Sequence, residues 1–289
     1  MQDYDISLKF LSGKFPVHFI NLIFDGFQGE VTSQDRELPS IRRESDYLVR
    51  VKNNSSVCDD AEFIVHMEFQ SSIDVNMPAR MLSYFTRIFE RYKLPVHSAV
   101  IYLNPDNAKN NIPDTFVHSI NGKENLTFKY EILKFWEIDQ NKIIDNNLYG
   151  LFPILPLAKY RTADEKENLT KCFDLVQKAD IENDTLKADI YVCTGLLAGL
   201  RYPKELIDSL MKVEILEESV IYKDILNKGI EKGMEKSIII VLSTRFNDIS
   251  PNLIDLIYRT KNESQLNKLL EIAINSNSLS EFEREIQNT

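Results

Sequence analysis

Two neighbouring segments of the chain alternate apolar and polar residues. Residues 46–52 (DYLVRVK) and 62–70 (EFIVHMEFQ) show this period of two and are rich in β-branched and aromatic side chains. Both features are typical of strands. The segment between them, NNSSVCDDA, is polar and turn-like, so we expect an antiparallel hairpin with a long loop.

Helical spacing of apolar residues flanks this hairpin. Residues 15–24 are apolar and end before Gly26, which predicts a first helix with a glycine stop. Residues 78–93 predict another helix, with Pro78 in its first turn. The apolar stripe of this helix consists of Met81, Phe85, Ile88 and Tyr92.

Two further elements complete a predicted α/β core. Residues 96–103 (VHSAVIYL) indicate a buried strand. The segments TFVHSI and LTFKYEI flank Asn121-Gly122, a dipeptide favoured in tight hairpin turns. Together with the first hairpin, these elements predict a mixed sheet crossed by a helix, within residues 1–160.

The sequence changes character near residue 160. The proline-containing segment 151–160 predicts a junction between domains, and a helical domain at 161–289 follows, suited to oligomerisation or regulation. Gly229 and Gly233 share one helix face, where they either allow close packing against another helix or weaken an exposed one. Helices are expected near 163–179, 184–199, 203–212, 215–236, 249–260 and 263–274.

Composition limits the classes of protein that fit. The 289 residues are 43% hydrophobic and 27% charged, an ordinary globular mixture. The chain has no apolar run of about 18 residues and no signal-peptide core, so we expect no membrane association. Its three scattered cysteines, Cys58, Cys172 and Cys193, indicate a reduced, cytoplasmic protein without a zinc site. The net charge of −10 disfavours non-specific binding to phosphate backbones.

Candidate chemistry lies at the ends of the two predicted strands. Alternation puts His66, Glu68 and Gln70 on one face of the second strand. If the hairpin is symmetric about Val57, Asp46 falls opposite Glu68. Facing carboxylates repel unless a cation lies between them, and Mg²⁺ is typically held by one or two carboxylates. Such an ion would neutralise a phosphate and activate water, with Gln70 holding that water or a phosphate oxygen. Alternatively, the two carboxylates only mark the ends of a solvated face.

The helix after these strands carries arginines at helical spacing. Arg80, Tyr84, Arg87 and Arg91 form a predicted stripe opposite the apolar one. Arginines beside a carboxylate site suit contacts with phosphate, although an ordinary solvated helix face gives the same pattern. His18 and His66 are isolated histidines, which more often have structural roles than ligand roles.

At these residues the chain resembles the Rpn family of recombination-promoting nucleases, often labelled transposases, within the PD-(D/E)XK superfamily. The resemblance is carried by IRRESDYLVRV, FIVHMEFQSS and MPARMLSYFTRIFERYKLPVHSAVIYL. It implies a restriction-endonuclease-like α/β fold, with a mixed sheet flanked by helices, that hydrolyses DNA with Mg²⁺ (alternatively Mn²⁺ or Ca²⁺). The family pattern matches Asp46, Glu68, Gln70, Arg80 and Tyr84.

Two positions depart from what the resemblance implies. The family's first helix often carries an acidic residue, whereas the predicted first helix offers His18 and Asn21. Either the site lacks that ligand, or Glu37 or Glu44 replaces it. Gln70 also stands where the superfamily has a lysine.

Two hypotheses from different classes follow. The first is an active endonuclease linked to recombination, mobile elements or defence, with DNA as its partner and a homodimer as its expected state, because cutting two strands usually needs two sites. The second is a catalytically inactive nuclease-fold scaffold that binds nucleic acid or protein. The net acidity, the missing lysine and the missing acid of the first helix favour the second hypothesis.

Overall fold

A computed structural model describes most of the chain and divides it into two compact units, residues 1–218 and 219–289. Among the described residues, no helix is both long and apolar enough to cross a bilayer. The described ranges are 3–24, 26–34, 45–53, 62–105, 112–120, 122–160, 164–260 and 262–286.

The first unit is built on a five-stranded mixed sheet, which confirms the predicted α/β class. The sheet order is β1-β2-β3-β4-β7, and β5 and β6 form a separate two-stranded sheet. The pairs β1–β2 and β2–β3 are antiparallel, whereas β3–β4 and β4–β7 are parallel. The strands are β1 (Gly29–Ser33), β2 (Tyr47–Asn53), β3 (Glu62–Gln70), β4 (Val96–Tyr102), β5 (Thr115–Ile120), β6 (Lys123–Lys129) and β7 (Glu131–Lys134).

The register of the β2–β3 hairpin is the one predicted from symmetry about Val57. Tyr47 pairs with Met67 and Leu48 with His66. One step beyond this ladder, Asp46 therefore faces Glu68. A shift of one residue would have turned every side chain of β3 to the other face of the sheet.

Helices cover both faces of this sheet, so β3 is buried on both sides. Helix α3 (Met77–Tyr92) connects β3 to the parallel strand β4 and buries Met81 and Ile88 against the even-numbered face. On the other face, Phe19 of α2 (Pro16–Asn21) lies against Tyr47 and Phe69. Helix α2 is shorter than the helix at 15–24 that the apolar pattern predicted, and a separate helix, α1 (Asp3–Lys14), precedes it.

The second predicted hairpin forms, but it does not join the main sheet. Strands β5 and β6 pair with each other, and Phe128 packs on Phe85 of α3 with ring centroids 5.0 Å apart. The predicted strand LTFKYEI breaks at Tyr130, after which β7 pairs with β4. Gly122 at the turn has a φ of +73°, a conformation that glycine adopts without strain.

The predicted junction at 151–160 is part of the core of the first unit. Residues Tyr149–Leu157 form a 3₁₀ helix, and all but the first are buried. The predicted boundary at 160/161 therefore lies inside this unit, which also contains four helices beyond it. These are α5 (Glu165–Lys178), α6 (Asp184–Ala198), α7 (Lys204–Leu210) and α8 (Val213–Leu216); a short α4 (Gln140–Asp145) precedes them.

The second unit is entirely helical where described. Its first helix, α9 (Val220–Phe246), begins after Ser219, whose side chain accepts a hydrogen bond from the Tyr222 amide. The helix expected at 215–236 therefore starts and ends later than predicted. A side chain at Gly229 or Gly233 would meet no described atom within 4 Å, which supports the exposed-helix alternative. The helices are α9 (Val220–Phe246), α10 (Pro251–Arg259), α11 (Glu263–Asn275) and α12 (Leu279–Ile286).

Candidate metal site

The carboxylates of Asp46 and Glu68 both accept hydrogen bonds from main-chain amides at the shared end of β2 and β3. The Asp46 amide donates to Glu68 Oε1 at 3.1 Å, and the Phe69 amide donates to Asp46 Oδ2 at 2.9 Å. Both bonds continue the hairpin ladder with side-chain oxygens in place of carbonyls. The carboxylates are thereby fixed next to one another, as the register requires.

Glu68 is nearly buried and is held by two further side chains. Its Oε1 lies 3.1 Å from His66 Nε2, and its Oε2 lies 3.5 Å from Arg80 Nη2. Arg80 also reaches Asp74, with Nη1 3.3 Å from Oδ2. The His66 ring is fully buried, with its centroid 4.9 Å from that of Tyr84. This shell fixes the orientation of the Glu68 carboxylate.

The electrostatic environment of Asp46 is unfavourable to its charge. Burial, followed by the negative charge of Glu68, raises the pKa of Asp46 from 3.8 to about 6. The hydrogen bond from the Phe69 amide and the charge of Lys9 lower it, but they do not prevail. Asp46 and Glu68 thus share a partly desolvated site, in which a nearby positive charge stabilises the ionised form of both carboxylates.

Helix α1 supplies the wall opposite α3. Asp5 and Lys9 lie one turn apart, with Lys9 Nζ 3.3 Å from Asp5 Oδ2 and 3.8 Å from Asp46 Oδ1. Sequence reasoning missed these residues because it began the first helix at residue 15. The local signal for them is the Asp5–Lys9 pair at i, i+4, which suits a helix surface.

These side chains line one cavity of ≈ 370 Å³. The structure therefore brings together the five residues that the family pattern matched, and it adds an acid from the first helix. That acid is Asp5, and neither His18 nor Asn21 supplies it. The lining consists of Tyr4, Asp5, Asp46, Glu68, Phe69, Gln70, Arg80 and Tyr84.

The predicted arginine stripe is wrong in one respect, since Tyr84 does not lie opposite the apolar face of α3. It is 5% exposed and belongs to the apolar core. It follows Met81 by three residues and precedes Ile88 by four, and such positions share a helix face. Arg80 lines the cavity, whereas Arg87 is half-buried elsewhere on the helix.

The remaining candidates lie elsewhere. His18 accepts a hydrogen bond on Nδ1 from the Gly150 amide at 3.0 Å and stacks on Phe15. Burial lowers the pKa of His18, which favours the neutral ring that this bond requires. Glu37 and Glu44 lie outside the described residues.

The donor set suits a hard cation. Within the described ranges no group of three or more His, Cys, Asp or Glu residues is arranged to hold a metal ion. Mg²⁺ requires less from the protein, namely one or two carboxylates, with water and phosphate oxygens completing its octahedron. Asp46 and Glu68, with Gln70 on the same rim, fit that requirement.

Comparison of the chain with models of known protein families, with curated proteins and with solved structures finds no match.

Proposed function

We propose that this chain is a Mg²⁺-dependent endodeoxyribonuclease with a restriction-endonuclease-like core of the Rpn type. The observation that carries the proposal is the pairing of Asp46 with Glu68 at one end of a hairpin, in a cavity that Gln70 and Arg80 also line. Carboxylates, an amide and a guanidinium around one open cavity suit a phosphodiester and its metal ion.

The charge balance of the cavity favours a divalent cation. The raised pKa of Asp46 reflects burial and the adjacent charge of Glu68, and a cation between them would offset both. Mn²⁺ and Ca²⁺ also accept oxygen ligands and are alternatives to Mg²⁺.

The reaction is hydrolysis, in which water attacks phosphorus and one phosphorus–oxygen bond of the backbone breaks. When bound, Mg²⁺ supplies charge neutralisation at the phosphate and lowers the pKa of the attacking water. The Gln70 side chain carries both a donor and an acceptor, so it would orient the water or a phosphate oxygen. Arg80 would add positive charge on the α3 side while keeping Glu68 in position.

DNA would reach this cavity between α1 and α3. Arg80 lines the cavity and supplies local positive charge in a protein whose net charge is −10. Binding should therefore be local, modest in affinity and sensitive to salt. We place the enzyme in the cytoplasm, since Cys172 and Cys193 are buried free thiols, and propose that a homodimer cuts both strands.

A plasmid-nicking assay tests this function. Wild type, Glu68→Gln and Glu62→Gln are compared in Mg²⁺, in Mn²⁺ and in EDTA, with circular dichroism to verify folding. Glu62 is the matched control, because it lies at the other end of the same strand in an ion pair with Arg50. We expect Glu68→Gln to lose more than about 100-fold in rate, since even outer-shell partners of a metal site cost about 10–100-fold.

The inactive scaffold is the second candidate, and one observation favours it. Glu68 already receives protein donors at both oxygens, and Lys9 lies beside Asp46, so protein groups already provide part of the positive charge that a metal ion would supply. Folded wild type that cuts nothing in any lane, and that Mg²⁺ and Mn²⁺ do not stabilise against heat, would establish the scaffold instead.

A further inference from the structure

Each carboxylate of the candidate metal site has its own basic residue from a different helix. Arg80 of α3 approaches Glu68 at 3.5 Å, and Lys9 of α1 approaches Asp46 at 3.8 Å. The Lys9 side chain is 24% exposed and that of Asp46 17%. Lys9 is not among the residues that line the cavity, but its ammonium contacts Asp46, which is. Each cation thus contacts a carboxylate that would hold the metal.

The two cations differ in how firmly they are held. Arg80 is fixed between Glu68 and Asp74, and a guanidinium is a rigid planar fork. Lys9 contacts Asp46 beyond hydrogen-bonding distance and also contacts Asp5 on its own helix at 3.3 Å. A lysine has a flexible stem and a point charge, so it can leave Asp46 while it stays beside Asp5.

We propose that Lys9 is an exchangeable cation of this site, which neutralises Asp46 in the metal-free protein and binds the scissile phosphate once a divalent ion occupies the carboxylates. The proposal deepens the nuclease function above and rests on it. It assigns to α1 the phosphate-facing cation that Gln70 cannot provide from β3, since a glutamine side chain carries no charge.

Loss of the Lys9 ammonium should change two measurable quantities, the Mg²⁺ affinity and the turnover rate, in opposite directions. An ammonium beside Asp46 competes with a divalent ion for that carboxylate and repels it. Removing the ammonium should therefore tighten metal binding, on the order of tenfold for the loss of one nearby unit charge at a partly exposed site. The same removal deprives the bound phosphate of a cation, so turnover should fall.

The experiment uses full-length protein and Mg²⁺ alone as the probe. Isothermal titration in the absence of DNA gives the Mg²⁺ dissociation constant, and plasmid nicking at saturating Mg²⁺ gives kcat and KM separately. The variants are Lys9→Met, Lys9→Arg and Lys14→Met. Lys14 is an exposed lysine on the same helix and serves as the matched control.

We expect Lys9→Met to bind Mg²⁺ about tenfold more tightly and to lose about tenfold or more in kcat. Lys9→Arg keeps the positive charge, so its Mg²⁺ affinity should stay near that of wild type, and Lys14→Met should not differ from wild type in either quantity. Damage to the fold would weaken metal binding and turnover together. Tighter Mg²⁺ binding combined with slower turnover therefore identifies the exchange.

Two failures are distinguishable. Wild type that binds no Mg²⁺ and cuts no DNA overturns the proposed function and this inference with it. Wild type that binds and cuts, with a Lys9→Met variant whose Mg²⁺ affinity is unchanged or weaker, or whose kcat is unchanged, overturns only the role of Lys9.

Discussion

Replacing Asp46 with asparagine should stabilise the metal-free protein at neutral and higher pH. The pKa of Asp46 is raised from 3.8 to about 6, first by burial and then by the charge of Glu68. A difference of this size corresponds to about 3 kcal/mol of unfavourable free energy when the group is ionised, at about 1.4 kcal/mol per pKa unit. The figure already includes the opposing contributions of Lys9 and the Phe69 amide.

The sign of the pH dependence follows from the raised pKa. Between about pH 4 and 6 the folded protein holds the Asp46 proton that the unfolded chain has released, so wild type loses stability as pH rises. Asparagine does not titrate and still offers an oxygen to the Phe69 amide. The advantage of Asp46→Asn should therefore be small at pH 4 and reach its full value, up to about 3 kcal/mol, above pH 7.

Urea denaturation in EDTA, monitored by fluorescence, measures this difference. Trp136 is the single tryptophan of the chain and packs against the core of the first unit, so its emission reports that unit. Glu90→Gln, which removes an exposed carboxylate from α3, is the control and should change little at any pH. An Asp46→Asn variant no more stable than wild type at pH 8, or equally altered at pH 4 and pH 8, refutes the electrostatic reasoning.

Three glycine substitutions test the packing. Gly150→Ala should destabilise the first unit by about 1–3 kcal/mol in urea denaturation, because its new methyl group would overlap Phe15 and lie 2.6 Å from His18 Nδ1; an unchanged midpoint would contradict the position of the 3₁₀ helix. Gly229→Ala and Gly233→Ala should each stabilise α9 by about 0.5–1 kcal/mol, since each new methyl group meets open space. Circular dichroism melts measure this, and a loss of stability would indicate a close helix contact there.

The sequence predicted strand β3 and the position of Asp46 opposite Glu68 correctly. The strand bounds 62–70 match β3, and symmetry of the hairpin about Val57 correctly placed Asp46 opposite Glu68. Alternation fixes which face each side chain occupies but does not distinguish registers that differ by two residues. Symmetry about Val57 was therefore an assumption, and the observed pairing confirms it.

The wall formed by α1 could not be derived in the same way. Ser7 and Ser12 are as buried as Leu8 and Leu11, so apolar and polar residues are not separated around this helix. Tertiary contact with α6, and not amphipathicity, decides its place. Similarly, the prolines of 151–160 suggested a junction, although a 3₁₀ helix accommodates them inside the core.

The cost of the Asp46 charge is itself an argument about function. Asp46 and Glu68 occupy the open end of a hairpin whose neighbouring positions are filled by Tyr47 and Met67. An uncharged side chain at Asp46 would remove about 3 kcal/mol of electrostatic cost. The structure instead surrounds both acids with donors from three elements. An unfavourable electrostatic energy of this kind, concentrated at one cavity, is typical of a site that a ligand completes.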